Sequence, residues 1–165
     1  MTDYPLRLGL IGGALDSAIG RTHHIASQMD NRWRIVAGCF SPSPATNEAA
    51  ATALSVPPGH TYGGWKQMLQ VERGQLDAIV LLTPTPTHAE IAVVALEHGY
   101  PIISEKALAC SSGEAAAIRA ARDKHDGFVA VTFNYSGYPI IRELRHMVET
   151  GRLGKLVHVA AEMPQ

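Results

Sequence analysis

Short apolar runs alternate with helix-prone segments along most of the chain. The clearest run covers residues 78–82 and contains no polar residue, which is typical of a strand covered on both faces. Comparable runs predict four further strands, at residues 6–11, 34–40, 101–103 and 128–133. Helices are predicted between and after them, at residues 21–29, 45–54, 64–72, 88–98, 113–125 and 139–150. This alternation predicts an α/β fold with a doubly wound parallel sheet.

The C-terminal end departs from the alternation. Residues 155–162 alternate between apolar and polar positions and predict one more strand, shortly after a Gly-Arg-Leu-Gly turn at 151–154. A lone strand has no partner in a finished doubly wound sheet. We therefore expect a first domain at 1–150, and at 151–165 the beginning of a second, α+β domain whose remainder is missing from this chain.

Composition excludes several classes of function. The 165 residues are 46% hydrophobic and 18% charged, which suits one ordinary core. Fourteen basic residues against fifteen acidic ones, with no basic block, make nucleic acid an unexpected partner. We also expect no membrane segment, and a cytoplasmic protein. Cys39 and Cys110 lie far apart without paired Cys or His spacing, so neither a disulfide nor a metal site is predicted.

The first strand is followed by a glycine-bearing loop with Gly12, Gly13 and Gly20. It is a stretched variant of a dinucleotide fingerprint, with Ala14 at the middle glycine and Asp16 adding negative charge near a phosphate site. A plain strand-to-helix turn is the alternative. The loop's position after the first strand, opening a helix with unpaired N–H groups, favours pyrophosphate binding. A bulky residue at Gly12 is expected to block that binding and leave the fold largely intact.

The end of the second strand is where such proteins choose their cofactor. An acidic residue there binds the ribose 2′-hydroxyl, whereas an arginine accommodates a 2′-phosphate. Phe-Ser-Pro-Ser at 40–43 offers neither, so the choice between NAD and NADP stays open. Ser41 and Ser43 could bind either ribose, or they could cap the next helix.

Two further strand ends carry polar residues. Glu105 and Lys106 follow the strand at 101–103, and Thr83 and Pro84 follow the strand at 78–82. A solvated Glu-Lys pair in a surface loop is the simpler interpretation of an isolated dipeptide. However, ligands of open α/β sheets bind beyond the carboxyl ends of the strands. Together with the glycine loop, these residues predict one site at that edge.

In order, these motifs resemble the N-terminal nucleotide-binding domain of the Gfo/Idh/MocA family of NAD(P)-dependent oxidoreductases. The resemblance rests on Leu-Gly-Leu-Ile-Gly-Gly at 8–13, Thr-Pro-Thr-Pro-Thr-His at 83–88 and Ser-Glu-Lys at 104–106, where the family has its EKP motif. The segments at 134–139 and 151–155 follow the family's order as well. The resemblance implies a Rossmann-type fold, NAD or NADP as the cofactor, and a homo-oligomer when the protein is full-length.

The resemblance also assigns roles around the reacting centre. It implies that Gly12, Gly13 and Gly20 shape the pyrophosphate loop, and that Glu105 contacts the nicotinamide ribose. Lys106 would be the catalytic residue, close to the cofactor and to the carbon that gives up hydride, where its ammonium polarises or orients the substrate hydroxyl.

Other cofactor contacts are implied along the path from adenosine to nicotinamide. Thr83, Pro84 and Thr85 would line that path, and His88 and Asn134 would adjoin it. For His88, capping or packing is the alternative role. Asn134 could equally be a strand-end residue.

Two departures and one absence qualify the resemblance. Ala107 replaces the proline of the EKP motif, which is expected to loosen the turn without removing chemistry, and Thr85 replaces a frequent asparagine. The family's substrate-binding sheet and acid/base histidine would lie beyond residue 165, so the chain alone is expected to be inactive. The implied function is oxidation of a CH–OH group of a sugar, cyclitol or polyol. A non-catalytic dinucleotide-binding module and an NAD-dependent glycosidase remain the alternatives.

Overall fold

The computed structural model describes residues 5–162 and contains strands, α-helices and two short 3₁₀ segments. The strands are β1 Leu6–Gly12, β2 Trp33–Cys39, β3 Ala78–Leu82, β4 Ile102–Ser104 and β5 Val129–Val131. The helices are α1 Ala18–Gln28, α2 Pro44–Ala53, α3 Trp65–Val71, α4 His88–Glu97, α5 Ser112–Lys124 and α6 Pro139–Glu149. The 3₁₀ segments are Thr85–Thr87 and Asn134–Gly137.

The chain divides into two compact units, Met1–Thr132 and Phe133–Gln165. The first unit holds all five strands of one sheet, in the order β2-β1-β3-β4-β5, and every neighbouring pair is parallel. The predicted α/β fold with a doubly wound parallel sheet is therefore confirmed. Strand order reverses at β1, because β2 lies on one side of it and β3 on the other.

Side chains of β3 alternate between two apolar layers, one on each face of the sheet. Ile79 and Leu81 pack with residues of α3, α4 and α5, whereas Val80 and Leu82 pack with residues of β1 and α2. All five residues of β3 are buried, as its unbroken apolar run predicts. Full burial of a valine, leucine or isoleucine side chain stabilises the folded state by about 1.5–3 kcal/mol. Burial of β3 therefore stabilises the middle of the sheet.

The second unit begins with the 3₁₀ segment Asn134–Gly137 and continues through α6. Gly151 and Gly154 have positive φ angles of 71° and 66° in the turn that follows α6. The predicted strand at 155–162 is wrong as far as the structure describes it, because these residues have no regular secondary structure. The physical reason is that a strand requires a hydrogen-bonded neighbour, and none of the described residues pairs with this segment.

Candidate cofactor and active site

The carboxyl ends of the parallel strands bring the predicted site residues to one edge of the sheet. Gly12 pairs in register with Leu82, the residue before Thr83, and Leu81 pairs with Ser104, the residue before Glu105. The strand order reverses beside β1, and ligands of open α/β sheets bind at that point. The sheet therefore assembles the glycine loop, the Thr83 turn and the Glu105–Lys106 pair side by side.

Gly12 and Gly13 have φ angles of +83° and +76°, a region that side chains other than glycine rarely adopt. A Cβ atom on Gly12 would lie 2.8 Å from the backbone carbonyl of Leu82. Contrary to the expectation from the sequence, we therefore expect a bulky residue here to disturb the fold as well. Such a residue would push β1 and β3 apart at their ends, besides filling the loop.

Gly20 lies inside the first turn of α1, which begins three residues earlier than predicted because Ser17 caps it. The Ser17 hydroxyl accepts a hydrogen bond of 3.1 Å from the Gly20 N–H. A Cβ atom on Gly20 would lie 2.6 Å from the carbonyl carbon of Gly13. Gly20 thus allows the helix to approach the loop closely, which is the task of the third glycine in a dinucleotide fingerprint.

A cavity of about 180 Å³ lies beyond the ends of β1, β2 and β3 and joins three predicted site residues, Gly12, Ser41 and Thr83. Trp65, at the start of α3, forms another part of the wall. The sequence analysis missed Trp65, since an aromatic residue at a helix start is ordinary. The preceding Gly63 and Gly64 give no signal of it either, because a Cβ atom at either position would meet no atom within 4 Å.

The two serines after β2 differ in their surroundings. Ser43 caps α2, because its hydroxyl accepts a hydrogen bond from the Thr46 N–H at 3.4 Å. Ser41 lines the cavity, and its hydroxyl oxygen accepts a 3.2 Å hydrogen bond from the Ser43 N–H. Capping therefore accounts for Ser43, whereas the Ser41 O–H donates to none of residues 5–162 and lies beside the cavity.

The turn after β3 is held by hydrogen bonds of its own and by His88. The Thr87 hydroxyl lies 2.8 Å from both the Thr83 hydroxyl and the Pro84 carbonyl. The His88 ring is only 1% exposed, and its Nε2 and Nδ1 atoms lie 2.7 and 2.8 Å from the carbonyls of Thr83 and Ala107. His88 thus connects the loops that follow β3 and β4. Its contact with a cofactor stays a prediction, as do those of Pro84 and Thr85.

The Glu105 carboxylate is turned inward, with only 11% of its side chain exposed, and three donors surround it. Its Oε1 atom accepts hydrogen bonds from Thr132 Oγ1 at 2.7 Å and His23 Nε2 at 2.8 Å. Its Oε2 atom accepts one from the Lys106 N–H at 3.1 Å. Burial by itself raises the pKa of Glu105, but the three hydrogen bonds outweigh it and bring the pKa below its ordinary value. The group is therefore a carboxylate at neutral pH.

Lys106 combines a fixed backbone with an exposed side chain. Its N–H is bound to Glu105, and the carbonyl of the next residue, Ala107, faces His88. The ammonium therefore projects from an anchored loop at the edge of the sheet that the glycine loop and Thr83 also occupy. This position suits a cation that acts on a bound ligand.

His23 is a site residue to which the sequence analysis assigned no role. It stands three positions after Gly20 on α1, and that spacing places it one helical turn from the glycine loop. Its neighbour His24 is buried, and its Nε2 atom has no hydrogen-bond partner within the described residues. Burial lowers the pKa of His24 and outweighs a hydrogen bond with the backbone of Gly13, so its ring is neutral at neutral pH.

Asn134 belongs to the second unit, where it opens the 3₁₀ segment, and its predicted cofactor contact stays a prediction. Across residues 5–162, no cluster of three His, Cys, Asp or Glu side chains is arranged to hold a metal ion. The same part of the chain has no helix long and apolar enough to cross a membrane.

Comparison with known proteins identifies the family. The model of the Gfo/Idh/MocA oxidoreductases, a family with an NAD-binding Rossmann fold, matches residues 6–133. The chain belongs to this family. Family membership confirms the predicted Rossmann-type fold and a nicotinamide dinucleotide as the cofactor.

Individual members of the family match almost all of the chain. YfiI of Bacillus subtilis, an uncharacterized oxidoreductase, is 32% identical over 92% of this chain and 40% of its own length. Levoglucosan dehydrogenase of Pseudarthrobacter phenanthrenivorans is 29% identical over 92% and 39%. Among solved structures, an inositol dehydrogenase homolog of Azotobacter vinelandii, complexed with NADH and myo-inositol, gives a TM-score of 0.87 at 30% identity, over 92% and 41%. The chain thus spans about 40% of the length of the curated relatives it matches.

Proposed function

We propose that the chain is the nucleotide-binding part of an NAD(P)-dependent oxidoreductase that oxidises a CH–OH group of a sugar, cyclitol or related polyol. The observation that carries this proposal is Lys106, an exposed ammonium on an anchored loop beside the glycine loop. Two relatives support the substrate class. One is a levoglucosan dehydrogenase, and the other is an inositol dehydrogenase homolog whose structure contains myo-inositol.

The residues at the sheet edge fit a dinucleotide. Gly12 and Gly13 lie so close to Leu82 that neither position has room for a Cβ atom, and α1 presents its N-terminal N–H groups beside them. These groups would hold the pyrophosphate. The cavity lined by Ser41, Trp65 and Thr83 would hold the adenosine, with the Ser41 O–H directed to the ribose.

When bound, the nicotinamide supplies the acceptor for the hydride. Lys106 donates a hydrogen bond to the substrate oxygen and orients the hydroxyl, and its positive charge favours the negative charge that grows on that oxygen as the proton departs. The group that receives the proton would lie in the second domain, beyond residue 165. The chain alone would therefore bind a cofactor but not turn over substrate.

The end of β2 gives little basis for choosing between the two cofactors. Residues 40–43 carry neither the carboxylate that would exclude a 2′-phosphate nor the arginine that would attract it. We therefore expect the affinities for NAD(H) and NADP(H) to lie within about tenfold of each other, a difference of about 1.4 kcal/mol.

Calorimetric titration of this chain with NAD, NADH, NADP and NADPH tests the cofactor assignment directly. Saturable binding of at least one nucleotide, weakened in the Gly20→Ala variant, is the expected result. Absence of binding by all four at millimolar concentration would contradict the proposal. The catalytic assignment of Lys106 requires a longer form of the protein and is tested separately below.

A further inference from the structure

The carboxylate of Glu105 is almost fully occupied by donors from its own chain. An ionised carboxylate offers about four acceptor positions. His23 and Thr132 occupy the two on Oε1, and the Lys106 N–H occupies one on Oε2. A ribose hydroxyl would have to bind the single remaining position, on an oxygen that already holds the Lys106 backbone.

We propose that Glu105 is a positioning residue for Lys106 and not primarily a cofactor ligand, and that His23 and Thr132 hold its carboxylate in the required orientation. Because a carboxylate only accepts hydrogen bonds, the proton of His23 must reside on Nε2. With both donors on Oε1, the carboxylate cannot rotate without breaking two hydrogen bonds. Oε2 therefore stays directed at the Lys106 N–H.

The three donors come from separate parts of the sheet edge. His23 lies on α1, Thr132 follows β5, and Lys106 follows β4. The placement of α1 depends in turn on the close approach of Gly20 to Gly13. The loop proposed to bind pyrophosphate and the lysine proposed to act on substrate are thus connected through one helix and one carboxylate.

Amide hydrogen exchange at Lys106 is the direct test, because the Glu105 carboxylate is the acceptor for that N–H. We expect Glu105→Gln, His23→Leu and Thr132→Val each to accelerate exchange at Lys106 by about tenfold or more, while amides of Ile79 and Ile102 in the core strands keep their wild-type rates. His23 borders a cavity with the apolar Leu10 and Val80, so leucine suits its site. Thr132→Val is nearly isosteric and serves if His23→Leu does not fold.

Rescue and non-additivity separate positioning from general destabilisation. His23→Gln places an amide N–H where Nε2 lies and should restore most of the protection at Lys106. The double variant of His23→Leu and Glu105→Gln should exchange no faster at Lys106 than Glu105→Gln alone. Thr22→Val is the matched control on α1, because among the described residues the Thr22 hydroxyl binds only the carbonyl of Ala18 in its own helix.

Wild-type exchange at Lys106 in both His23→Leu and Thr132→Val would overturn the inference. A second pattern would also overturn it, namely the pattern expected of a ribose ligand. In that case Glu105→Gln would weaken NADH binding tenfold. His23→Leu and Thr132→Val would change neither NADH binding nor exchange at Lys106. The inference rests on the proposed function only for the importance of Lys106. A wild-type chain that binds no nucleotide would contradict the proposed function, whereas the exchange results would still decide the role of Glu105.

Discussion

The contact between Gly20 and the glycine loop leads to a quantitative prediction for Gly20→Ala. An alanine Cβ would lie 2.6 Å from the carbonyl carbon of Gly13, where ordinary contact begins at 3.4 Å. Helix α1 would therefore have to retreat from the loop by at least about 0.8 Å, since the Gly13 carbonyl oxygen lies closer still. Gly20 does not have a positive φ, so the backbone itself tolerates alanine.

Two effects of opposite sign determine the free energy of unfolding in this variant. Alanine in a helix is favoured over glycine by up to about 1 kcal/mol. Overpacking against a backbone that cannot rotate away costs about 1–3 kcal/mol. With the full helix gain, the net loss is about 0–2 kcal/mol. We also expect weaker NADH binding, because the N-terminal N–H groups of α1 would move away from the phosphates.

Gly113→Ala is the matched control. Gly113 also lies in the first turn of a helix, α5, but the nearest atom to its Cβ would be the Ser111 hydroxyl at 3.8 Å. This variant should be as stable as the wild type or slightly more stable, with unchanged NADH affinity. Thermal unfolding and calorimetric titration measure both quantities. A Gly20→Ala protein with wild-type stability and wild-type affinity would refute the reasoning that close helix approach matters.

Three further predictions concern single residues of the same edge. Gly12→Val should unfold at a markedly lower temperature than the wild type, because it combines a positive φ with a Cβ 2.8 Å from the Leu82 carbonyl; a normal melting temperature would contradict this. In a longer, active form of the protein, Lys106→Ala should lower turnover by about 10²- to 10⁴-fold with little change in cofactor affinity, and Lys106→Arg should not restore it; near-wild-type turnover on polyols would end the catalytic assignment. The pKa of Glu105 is lower in the folded than in the unfolded chain, so its contribution to stability is present above the unfolded pKa of about 4.5 and is lost as pH falls through the folded value. Melting temperatures should be measured by calorimetry between pH 3 and 7 in steps of about 0.5 pH units. On acidification they should fall less for Glu105→Gln than for the wild type. Parallel curves would show that Glu105 does not contribute to the pH dependence of stability.

The fold was largely predictable because its strands are buried on both faces. The run at 78–82 has no polar residue, and β3 covers the same five positions. The start of α1 was harder to predict, because Ser17 caps the helix through a local hydrogen bond that leaves no trace in the hydrophobic periodicity. The strand predicted at 155–162 failed for the opposite reason: alternation describes a face to be buried, but a strand also needs a neighbour.

The candidate site was predictable as a location but not as a network. Glu105 and Lys106 end a strand, and that position alone marks them. His23 and Glu105 are 82 positions apart in sequence, so their contact cannot be predicted from sequence; the packing of α1 on the sheet creates it. Nor can sequence tell whether a carboxylate at such an edge turns outward to a ligand or inward to its own chain.

The anchoring of Lys106 also bears on the entropy of ligand binding. Fixing the backbone of one residue costs about 1–2 kcal/mol of conformational free energy at 25 °C. At Lys106 this cost is already met on folding, because the Lys106 N–H is bound to the Glu105 carboxylate and the Ala107 carbonyl lies against His88. A ligand therefore has to order only the flexible stem, about 0.5–1.5 kcal/mol for a side chain of this kind. The same stem lets the ammonium reach hydroxyl groups at slightly different positions, so a rigid backbone is compatible with some tolerance among the polyol substrates proposed above.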